Sequence, residues 1–362
     1  HQYIGKKQAL ELMHYVDEIN VTHGGEGTKL YSTANSAFKT RCLQNNLHLL
    51  DASVRHLGTE NNLRMLEQTY EYLKEKVEFR FECPVAHIES DGQGDNQLEL
   101  ANGEKVAPGR AGAEWFSNEC NRLGIEQENN RVDVGVRVEV PDEVWNDITS
   151  QVYEAKLLYR TKQYGDFVRT FCMNPHGHVV MENTDGIVTV NGHSYSDPKL
   201  QSHNTNFALL VSNHFTEPFK APHQYGKRIA SFSNMLGGGI IVQRYGDLIK
   251  GRRTNTHRLS KSFTKPTLAA TPGDLSLVLP KRHLDNIIEM IYQLDKIAPG
   301  TANYDTLLYG AEVKFYSARL ELDENLETKL PGFFAAGDGA GVTRGLAQAG
   351  ASGVQAARAI SK

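Results

Sequence analysis

At 362 residues the chain is long enough for one large or two ordinary domains with a substantial core. Its 40% hydrophobic and 23% charged residues are typical of a globular protein, and a net charge of -4 gives no general argument for binding nucleic acid or an anionic membrane. No apolar run approaches the roughly 18 residues of a membrane span, and the N-terminus does not resemble a signal peptide. We therefore expect a cytoplasmic protein without a membrane partner.

The first third of the sequence predicts two helices and a ribbon. "KKQALELMHYVDEI" carries a helical stripe of apolar residues. "TENNLRMLEQTYEYLKEK" predicts a second helix, with Thr59 as its N-cap and Leu63, Leu66 and Tyr70 on one face. The stretch from "VEFRFEC" to "LELANGEKV" alternates as strands do and contains glycine turns, which predicts an antiparallel ribbon.

"AEWFSNECNRLGI" predicts a helix, and "VDVGVRVEVP" predicts a strand that ends at Pro141. Strands and glycine turns dominate the middle of the chain that follows, about 140–270. "VVMENTDGIVTVNG" reads as a hairpin, and Asp274 is placed to cap a helical turn after Thr271–Pro272. "LDNIIEMIYQLDKIAPG" predicts a helix that stops before Pro299. With no internal repeat, this order is typical of an α/β or α+β enzyme.

The four cysteines, Cys42, Cys83, Cys120 and Cys172, stand singly in the sequence. None has the short spacing of a zinc site or a redox dithiol. We expect reduced, mostly packed thiols and no metal site.

The chain closes on "PGFFAAGDGAGVTRGLAQAGASGVQAARAISK", which predicts an apolar strand, a glycine turn and a helix. A glycine inside a helix costs roughly 1 kcal/mol relative to alanine, so we expect a close neighbour beside Gly345, Gly350 and Gly353. A glycine turn before a helix N-terminus can meet a phosphate, and Asp338 is placed to accept hydrogen bonds from ligand hydroxyls. Tight packing without a ligand accounts for the glycine spacing equally well.

The amino-acid sequence of this segment resembles the closing FAD motif of two-dinucleotide-binding flavoproteins. The resemblance continues through "APGRAGAEWF", "VDVGVRVEVP", "YRTKQYGDFVRTFCMNPHGHVV", "TVNGHSY", "LGGGIIVQRYGDLIKGRR" and "TPGDLSLVLPKR", and covers nearly the whole chain. Together these motifs are similar to the bacterial and archaeal FAD-dependent dehydrogenases usually labelled uncharacterised NAD(P)/FAD-dependent oxidoreductases.

This resemblance implies an FAD-dependent oxidoreductase that transfers a hydride between a small-molecule substrate and the flavin. NAD(P)H as a transient electron donor stays open. In the family the acid at the strand end binds the ribityl chain of FAD, and this role falls on Asp338. The implied cofactor-binding residues are Gly337, Asp338, Gly339, Ala340, Gly341, Arg344, Gly345, Leu346 and Ala347, with Pro108, Gly109 and Arg110 of "APGR".

The fold implied is mixed, α/β with α+β. A partial Rossmann-like FAD-binding domain would comprise residues 1–135 and 300–362, and an inserted antiparallel-sheet substrate domain residues 136–299. Family members open with a strand, a GxGxxG turn and a helix that hold the ADP half of FAD, and His1 falls beyond that unit. Either the sequence is an incomplete record or half of the FAD site is lost; the retained Asp338 and glycines favour the first explanation.

Polar residues suited to acid–base chemistry cluster in "RTFCMNPHGHVV" and "NGHSY". We predict Arg169, Cys172, His178 and Tyr195 as catalytic residues, with neighbouring asparagines, forming an anion clamp and an acid/base pair beside the flavin. The structural alternative is a paired surface arginine, a core thiol and a histidine satisfied at a turn.

The segment from Arg244 to Lys265 holds seven Lys or Arg residues against one Asp. We predict that Arg244, Arg252 and Arg253 bind a substrate anion; the 2′-phosphate of NADPH, RNA and a solvated loop are the alternatives. Few aromatic residues interleave the charges, which disfavours nucleic acid. The rival function is a flavoprotein-derived, non-enzymatic binding protein that uses residues 244–265 for nucleic acid or a partner. A homo-oligomer stays open.

Overall fold

The computed structural model describes residues 3–34, 37–82, 85–93, 96–100, 113–128, 130–184, 186–216, 218–219, 221–317, 319–343 and 345–361. In this part of the chain the α-helices are α1 (Lys6–Asn20), α2 (Ala37–Gln44), α3 (Thr59–Leu73), α4 (Ala113–Arg122), α5 (Asn146–Val152), α6 (Pro222–Gly237), α7 (Tyr245–Leu248), α8 (Thr256–Ser260), α9 (Lys281–Asp295) and α10 (Leu346–Ile360).

The strands in chain order are β1 (Leu30–Ser32), β2 (His48–Leu49), β3 (Ser53–Arg55), β4 (Val85–Ser90), β5 (Asn96–Leu100), β6 (Gln127–Glu128), β7 (Val132–Pro141), β8 (Leu157–Arg160), β9 (Phe167–Asn174), β10 (His178–Thr184), β11 (Ile187–His193), β12 (Asn204–Asn213), β13 (Ile241–Arg244), β14 (Thr271–Pro272), β15 (Leu307–Lys314) and β16 (Arg319–Leu320). The predicted hairpin and long helices are confirmed. Of the predicted ribbon, β4 and β5 pair as expected, residues 77–82 form no strand, and residues 101–106 lie outside the described residues.

Packing divides the chain into two compact units. The first combines residues 1–26, 63–130 and 316–362, and the second combines 27–62 and 131–315. The predicted division places residues 27–62, 131–135 and 300–315 in the FAD-binding domain, whereas packing places all three stretches in the second unit. The stretch 27–62 joins the second unit because β2 pairs with β8, and β15 joins it because this strand pairs with β7 and β13.

The second unit is built on an eight-stranded mixed sheet in the order β14-β13-β15-β7-β12-β9-β8-β2. Within this sheet β13 and β14 are parallel, and the other neighbouring strands run antiparallel. Helix α9 packs on β7, β9 and β12, and α6 packs on β7, β13 and β15. The predicted cap is present, since Asp274 Oδ1 accepts a hydrogen bond from Ser276 N at 2.9 Å.

The central strand β7 is buried on both faces. Its alternate valines, Val132 to Val140, join one core with Leu284, Ile287 and Ile291 of α9. A strand turns successive side chains to opposite faces, so the intervening Asp133, Gly135, Arg137 and Glu139 share the other face. These residues are also fully buried. The β10–β11 hairpin packs on this side of the sheet, where Val179 and Val190 contact Tyr309 and its neighbours.

The first unit has its own small cores. Helices α1 and α10 pack through Leu12, Val16 and Ala351. In a second core, Cys120 and Ile125 pack with Leu320. The predicted apolar face of α3 points outward, since Leu63 and Leu66 are 61% and 53% exposed while Met65 is buried.

One predicted element is wrong. The apolar run "GFFAAGD" forms no strand, and only an isolated bridge joins Phe334 to Glu327. The reason lies in the backbone, because Gly332 and Gly337 have φ angles of 72° and 78° and interrupt an extended conformation on either side of the apolar residues.

Candidate functional site

The C-terminal segment of the first unit folds as a tight turn centred on Asp338. The two glycines that bound it, Gly337 and Gly341, have φ angles of 78° and 71°, which glycine adopts without strain. Gly337 N donates to Ser352 Oγ of α10 at 2.9 Å, and Thr343 Oγ1 donates to Asp338 Oδ1 at 2.6 Å. The bond from Thr343 orients the half-buried Asp338 carboxylate, whose Oδ2 has no hydrogen-bond partner among the described residues.

The glycines around α10 differ in what surrounds them. A Cβ at Gly350 would lie 3.1 Å from Val16 Cγ1, so the predicted close neighbour at this position is α1. A Cβ at Gly345 or Gly353 would meet no atom of the described chain within 4 Å. Gly345 precedes the first helical residue and, without a side chain, leaves the first-turn N–H groups of α10 uncapped.

These features fit a flavin nucleotide. Uncapped N–H groups and the positive end of a 15-residue helix suit a phosphate or a polar ring edge, and the carboxylate of Asp338 suits ribityl hydroxyls. Gly339, Ala340, Leu346 and Ala347 lie in the same turn and first helical turn. The other implied cofactor residues, Arg344 and Pro108, Gly109 and Arg110, lie outside the described residues.

In the second unit the buried face of β7 holds an ion pair. The guanidinium of Arg137 donates through Nε and Nη2 to both carboxylate oxygens of Glu312, at 2.8 and 2.7 Å, and both side chains are fully buried. Its remaining N–H groups donate to Cys172 O, Asn206 Oδ1 and Asn191 Oδ1 at 2.9, 2.9 and 3.1 Å. Burial alone would raise the pKa of Glu312, but Arg137 and Lys314 outweigh it and hold that pKa below its usual value.

Beside this pair, Cys172 adopts a left-handed backbone with φ of 48°. Such a conformation costs on the order of 1–2 kcal/mol for a non-glycine residue and is often found at functional sites. Cys172 N donates to Glu154 Oε1 at 3.1 Å, and Asn174 Nδ2 lies 3.5 Å from the half-buried Sγ. A Cβ at Gly192 would lie 2.1 Å from Asn206 Oδ1, so only glycine lets β11 approach this closely.

A chain of hydrogen bonds continues from Asn174 to the surface. Ser194 Oγ lies 3.0 Å from His56 Nε2 and 2.9 Å from Tyr153 OH, and the His56 and Tyr153 rings stack at 4.4 Å. Tyr153 also has a positive φ, 57°. Burial lowers the pKa of His56 to about 4, and burial raises the pKa of Tyr153 well above its usual value. Near neutral pH this arrangement therefore holds a neutral imidazole and a protonated phenol. We name Cys172, Asn174, Ser194, His56 and Tyr153 the polar cluster.

The four predicted catalytic residues lie in different surroundings. Cys172 belongs to the polar cluster, whereas Arg169 is bound to the buried Asp133 at 2.6 Å. His178 Nε2 lies 2.8 Å from Leu200 O, and its ring contacts Tyr195 edge-on at 5.8 Å. Among the described residues, no hydrogen bond or ion pair links His178 or Tyr195 to Cys172.

Sequence reasoning missed Arg137, Ser194, His56 and Tyr153. The strict alternation of valine with Asp, Gly, Arg and Glu in "VDVGVRVEVP" is the signal that marks Arg137, since it places charged groups on one face of a central strand. His56 and Tyr153 carry no comparable local pattern.

Two carboxylates, Asp247 and Asp305, neutralise part of the charge of the basic segment. Asp247, fully buried, accepts hydrogen bonds from Arg252 Nε at 2.7 Å, Arg258 Nε at 3.1 Å and Thr254 Oγ1 at 2.8 Å. Burial would raise the pKa of Asp247, but these donors hold it below its usual value. Arg244 is paired with Asp305 and lies 3.6 Å from Asp247. Of the three predicted anion-binding arginines, Arg252 and Arg253 line a common cavity and Arg244 does not.

Within the described ranges, no group of three or more His, Cys, Asp or Glu side chains is placed to hold a metal ion. The described helices also include none that is both long enough and apolar enough to cross a membrane. Cys42 and Cys120 are buried free thiols, and burial raises their pKa values to about 11 and about 12.

Removing the carboxylate charge of Glu312 should strongly destabilise the second unit. Glu312→Gln leaves the Arg137 guanidinium buried without a counter-ion, a change that typically costs about 3–5 kcal/mol. Asp51→Asn, which removes one partner of the exposed Lys39–Asp51 pair, should cost less than about 1 kcal/mol. Urea unfolding measures both free energies, and equal small losses would contradict the role given to the buried pair.

The pH dependence of stability should report the burial of His56. Its pKa in the folded state, about 4, lies below the ordinary value of 6.5, so the unfolded chain binds more protons between these values. Stability present above pH 6.5 is therefore lost as the pH falls toward 4. His283, whose pKa burial also lowers to about 4, adds to the same loss.

The drop in the urea midpoint between pH 7 and pH 5 should be smaller in His56→Gln than in the wild type. His14→Gln, a change on the exposed side of α1, should leave the drop unchanged. An unaltered pH dependence in His56→Gln would show that this imidazole titrates alike in both states.

A comparison with curated proteins found no match. Among protein families, the model described as "FAD-dependent protein, C-terminal domain-like" matches residues 131–315, just over half of the chain. The matched region begins immediately before β7 and ends immediately after β15, so it contains the Arg137–Glu312 pair and all of the polar cluster except His56. The chain therefore belongs to this family of FAD-dependent proteins.

Proposed function

We propose that this protein is an FAD-dependent oxidoreductase of the dehydrogenase type. Membership of an FAD-dependent family carries the proposal, since it rests on the chain's own residues 131–315. The turn at Asp338 supports it independently, because the carboxylate, the glycines and the uncapped start of α10 together suit a flavin nucleotide. Bound FAD would supply the electron chemistry by exchanging a hydride with a substrate.

The residues of this chain that would hold FAD are Asp338 and the start of α10. The Asp338 carboxylate would accept hydrogen bonds from ribityl hydroxyls, with Thr343 fixing its orientation. The N–H groups after Gly345 would donate to an oxygen of the cofactor. No described atom lies within 4 Å of a Cβ placed at Gly345 or Gly353, which leaves room for the cofactor to approach the backbone there.

We assign the substrate side of the reaction to the polar cluster. The protonated Tyr153 phenol and the neutral His56 imidazole both lie within hydrogen-bond distance of Ser194 Oγ, so the cluster offers a donor and an acceptor that can bind and orient a polar substrate. Burial raises the pKa of Tyr153 and lowers that of His56, which opposes proton transfer between the two. The buried Arg137–Glu312 pair keeps this framework rigid by binding the backbone of Cys172 and the side chain of Asn206. NAD(P)H as a transient electron donor remains a prediction without support from the family description, which names FAD alone.

The rival function, nucleic-acid binding by residues 244–265, is not favoured. Three of the arginines in that segment are engaged with Asp247 or Asp305, so the local excess of positive charge is smaller than the sequence suggests.

Substitution of Asp338 should weaken binding of FAD. Asp338→Ala removes a charged acceptor of hydrogen bonds, which is worth about 1.5–3 kcal/mol, so the dissociation constant should rise at least tenfold. The side chain bonds only to Thr343 among the described residues, so the fold should be retained. Titration of the deflavinated protein with FAD, followed by quenching of flavin fluorescence, measures the constant.

Glu324→Ala is the matched control for this titration, since Glu324 is an exposed acid of the same unit whose side chain has no described partner. Its affinity for FAD should equal that of the wild type. An Asp338→Ala variant that binds FAD as tightly as the wild type would refute the assignment of this carboxylate.

A further inference from the structure

An open cleft of about 420 Å³ lies at the β14 edge of the large sheet in the second unit. Its volume is within the range of sites for small molecules, roughly 300–1,000 Å³. Its lining combines aliphatic residues with two arginines that are neighbours in the sequence. The aliphatic residues are Leu236, Ile241, Pro272 and Leu277, and the cationic ones are Arg252 and Arg253.

The two arginines have donors to spare. Arg253 is exposed, and within the described chain its guanidinium has no hydrogen-bond or ion-pair partner. Arg252 binds Asp247 through Nε alone, and its side chain is 49% exposed. The same carboxylate is shared with Arg258, so it cannot neutralise both cations. Among the described residues, the charge of Arg253 and part of the charge of Arg252 are therefore uncompensated, and both residues line the cleft.

The aliphatic wall is both fixed and accessible. Ile241 is buried, and a Cβ at Gly237 or Gly273 would lie only 2.7 or 2.8 Å from its side chain. Leu277 and Leu236, which also line the cleft, are 69% and 46% exposed. Exposed leucines that adjoin a cavity are apolar surface that a ligand can remove from water.

The cleft is better suited to a carboxylate than to a phosphate. Phosphate sites usually offer several free backbone N–H groups, but Gly273 N donates to Val242 O and Thr271 N donates to Ile240 O, each at 3.0 Å. The lining also includes Asp274, which would repel a dianion more strongly than a monoanion. A carboxylate matches the planar, bidentate geometry of a guanidinium.

We propose that this cleft binds a medium-chain aliphatic monocarboxylate. Its carboxylate would pair with Arg253 and the terminal nitrogens of Arg252, and its chain would lie along Leu277, Leu236 and Ile241. This site involves no residue assigned above to FAD or to the polar cluster, so it does not depend on the proposed function.

Calorimetric titration of the purified protein with octanoate tests the proposal. Octanoate should bind, whereas acetate, which lacks the chain, and octyltrimethylammonium, which reverses the charge, should bind at least tenfold more weakly. Arg253→Gln should raise the dissociation constant for octanoate at least tenfold, and Leu277→Gln should raise it several-fold. Both side chains are exposed, so neither variant should affect folding.

Lys261→Gln is the matched control, because it removes one exposed positive charge from the same basic segment without lining the cleft. It should change the octanoate constant by less than twofold. The proposal is overturned if octanoate does not bind, if Arg253→Gln and Lys261→Gln have equal effects, or if octyltrimethylammonium binds as well as octanoate. Stronger binding of inorganic phosphate that depends on Arg253 would also overturn it, in favour of a phosphate site.

Discussion

The buried ion pair between Arg137 and Glu312 is the constraint on which the second unit depends. A guanidinium taken out of water must have its charge balanced and its N–H groups bonded, and here Glu312, Asn206, Asn191 and the carbonyl of Cys172 meet that requirement. These partners come from β15, β12, β11 and β9. One side chain on β7 thereby fixes the relative positions of four other strands.

The need to pair every buried charge also explains the polar partners on the face of β7 that carries Arg137. Asp133 is paired with Arg169, while Glu139 accepts hydrogen bonds from Tyr309, Thr267 and Asn204. Burial raises the pKa of Glu139, whose described neighbours are neutral donors. The three charged residues of β7 thus have different kinds of partner, and the strained Cys172 is bound directly to this layer through Arg137.

Local sequence patterns predicted most of the elements but not the environment of their side chains. The helical stripe of α9 and the turn of the β10–β11 hairpin are local signals, and both elements formed as predicted. The alternation in "VDVGVRVEVP" predicted a strand, yet a charged face ordinarily points to water. It is buried here because a hairpin some fifty residues later in the chain covers it, which no local pattern reveals.

The candidate sites were predictable to different degrees for the same reason. The turn at Asp338 is contiguous in sequence, so its glycines could be identified directly, although those glycines also prevent the predicted strand before it. The polar cluster joins residues more than a hundred positions apart in the chain. Cys172 and its neighbour Asn174 were identified in advance, whereas His56, Tyr153 and Ser194 were not. The basic segment looked uncompensated because Asp305, which pairs with Arg244, lies about sixty residues away.

The central claim, that this protein is an FAD-dependent oxidoreductase, is tested most directly by the visible absorption spectrum of the purified protein. Our account predicts the two bands of oxidised flavin, loss of the longer-wavelength band on addition of dithionite, and release of FAD when the protein is denatured. A colourless protein that also fails to take up added FAD would contradict the account.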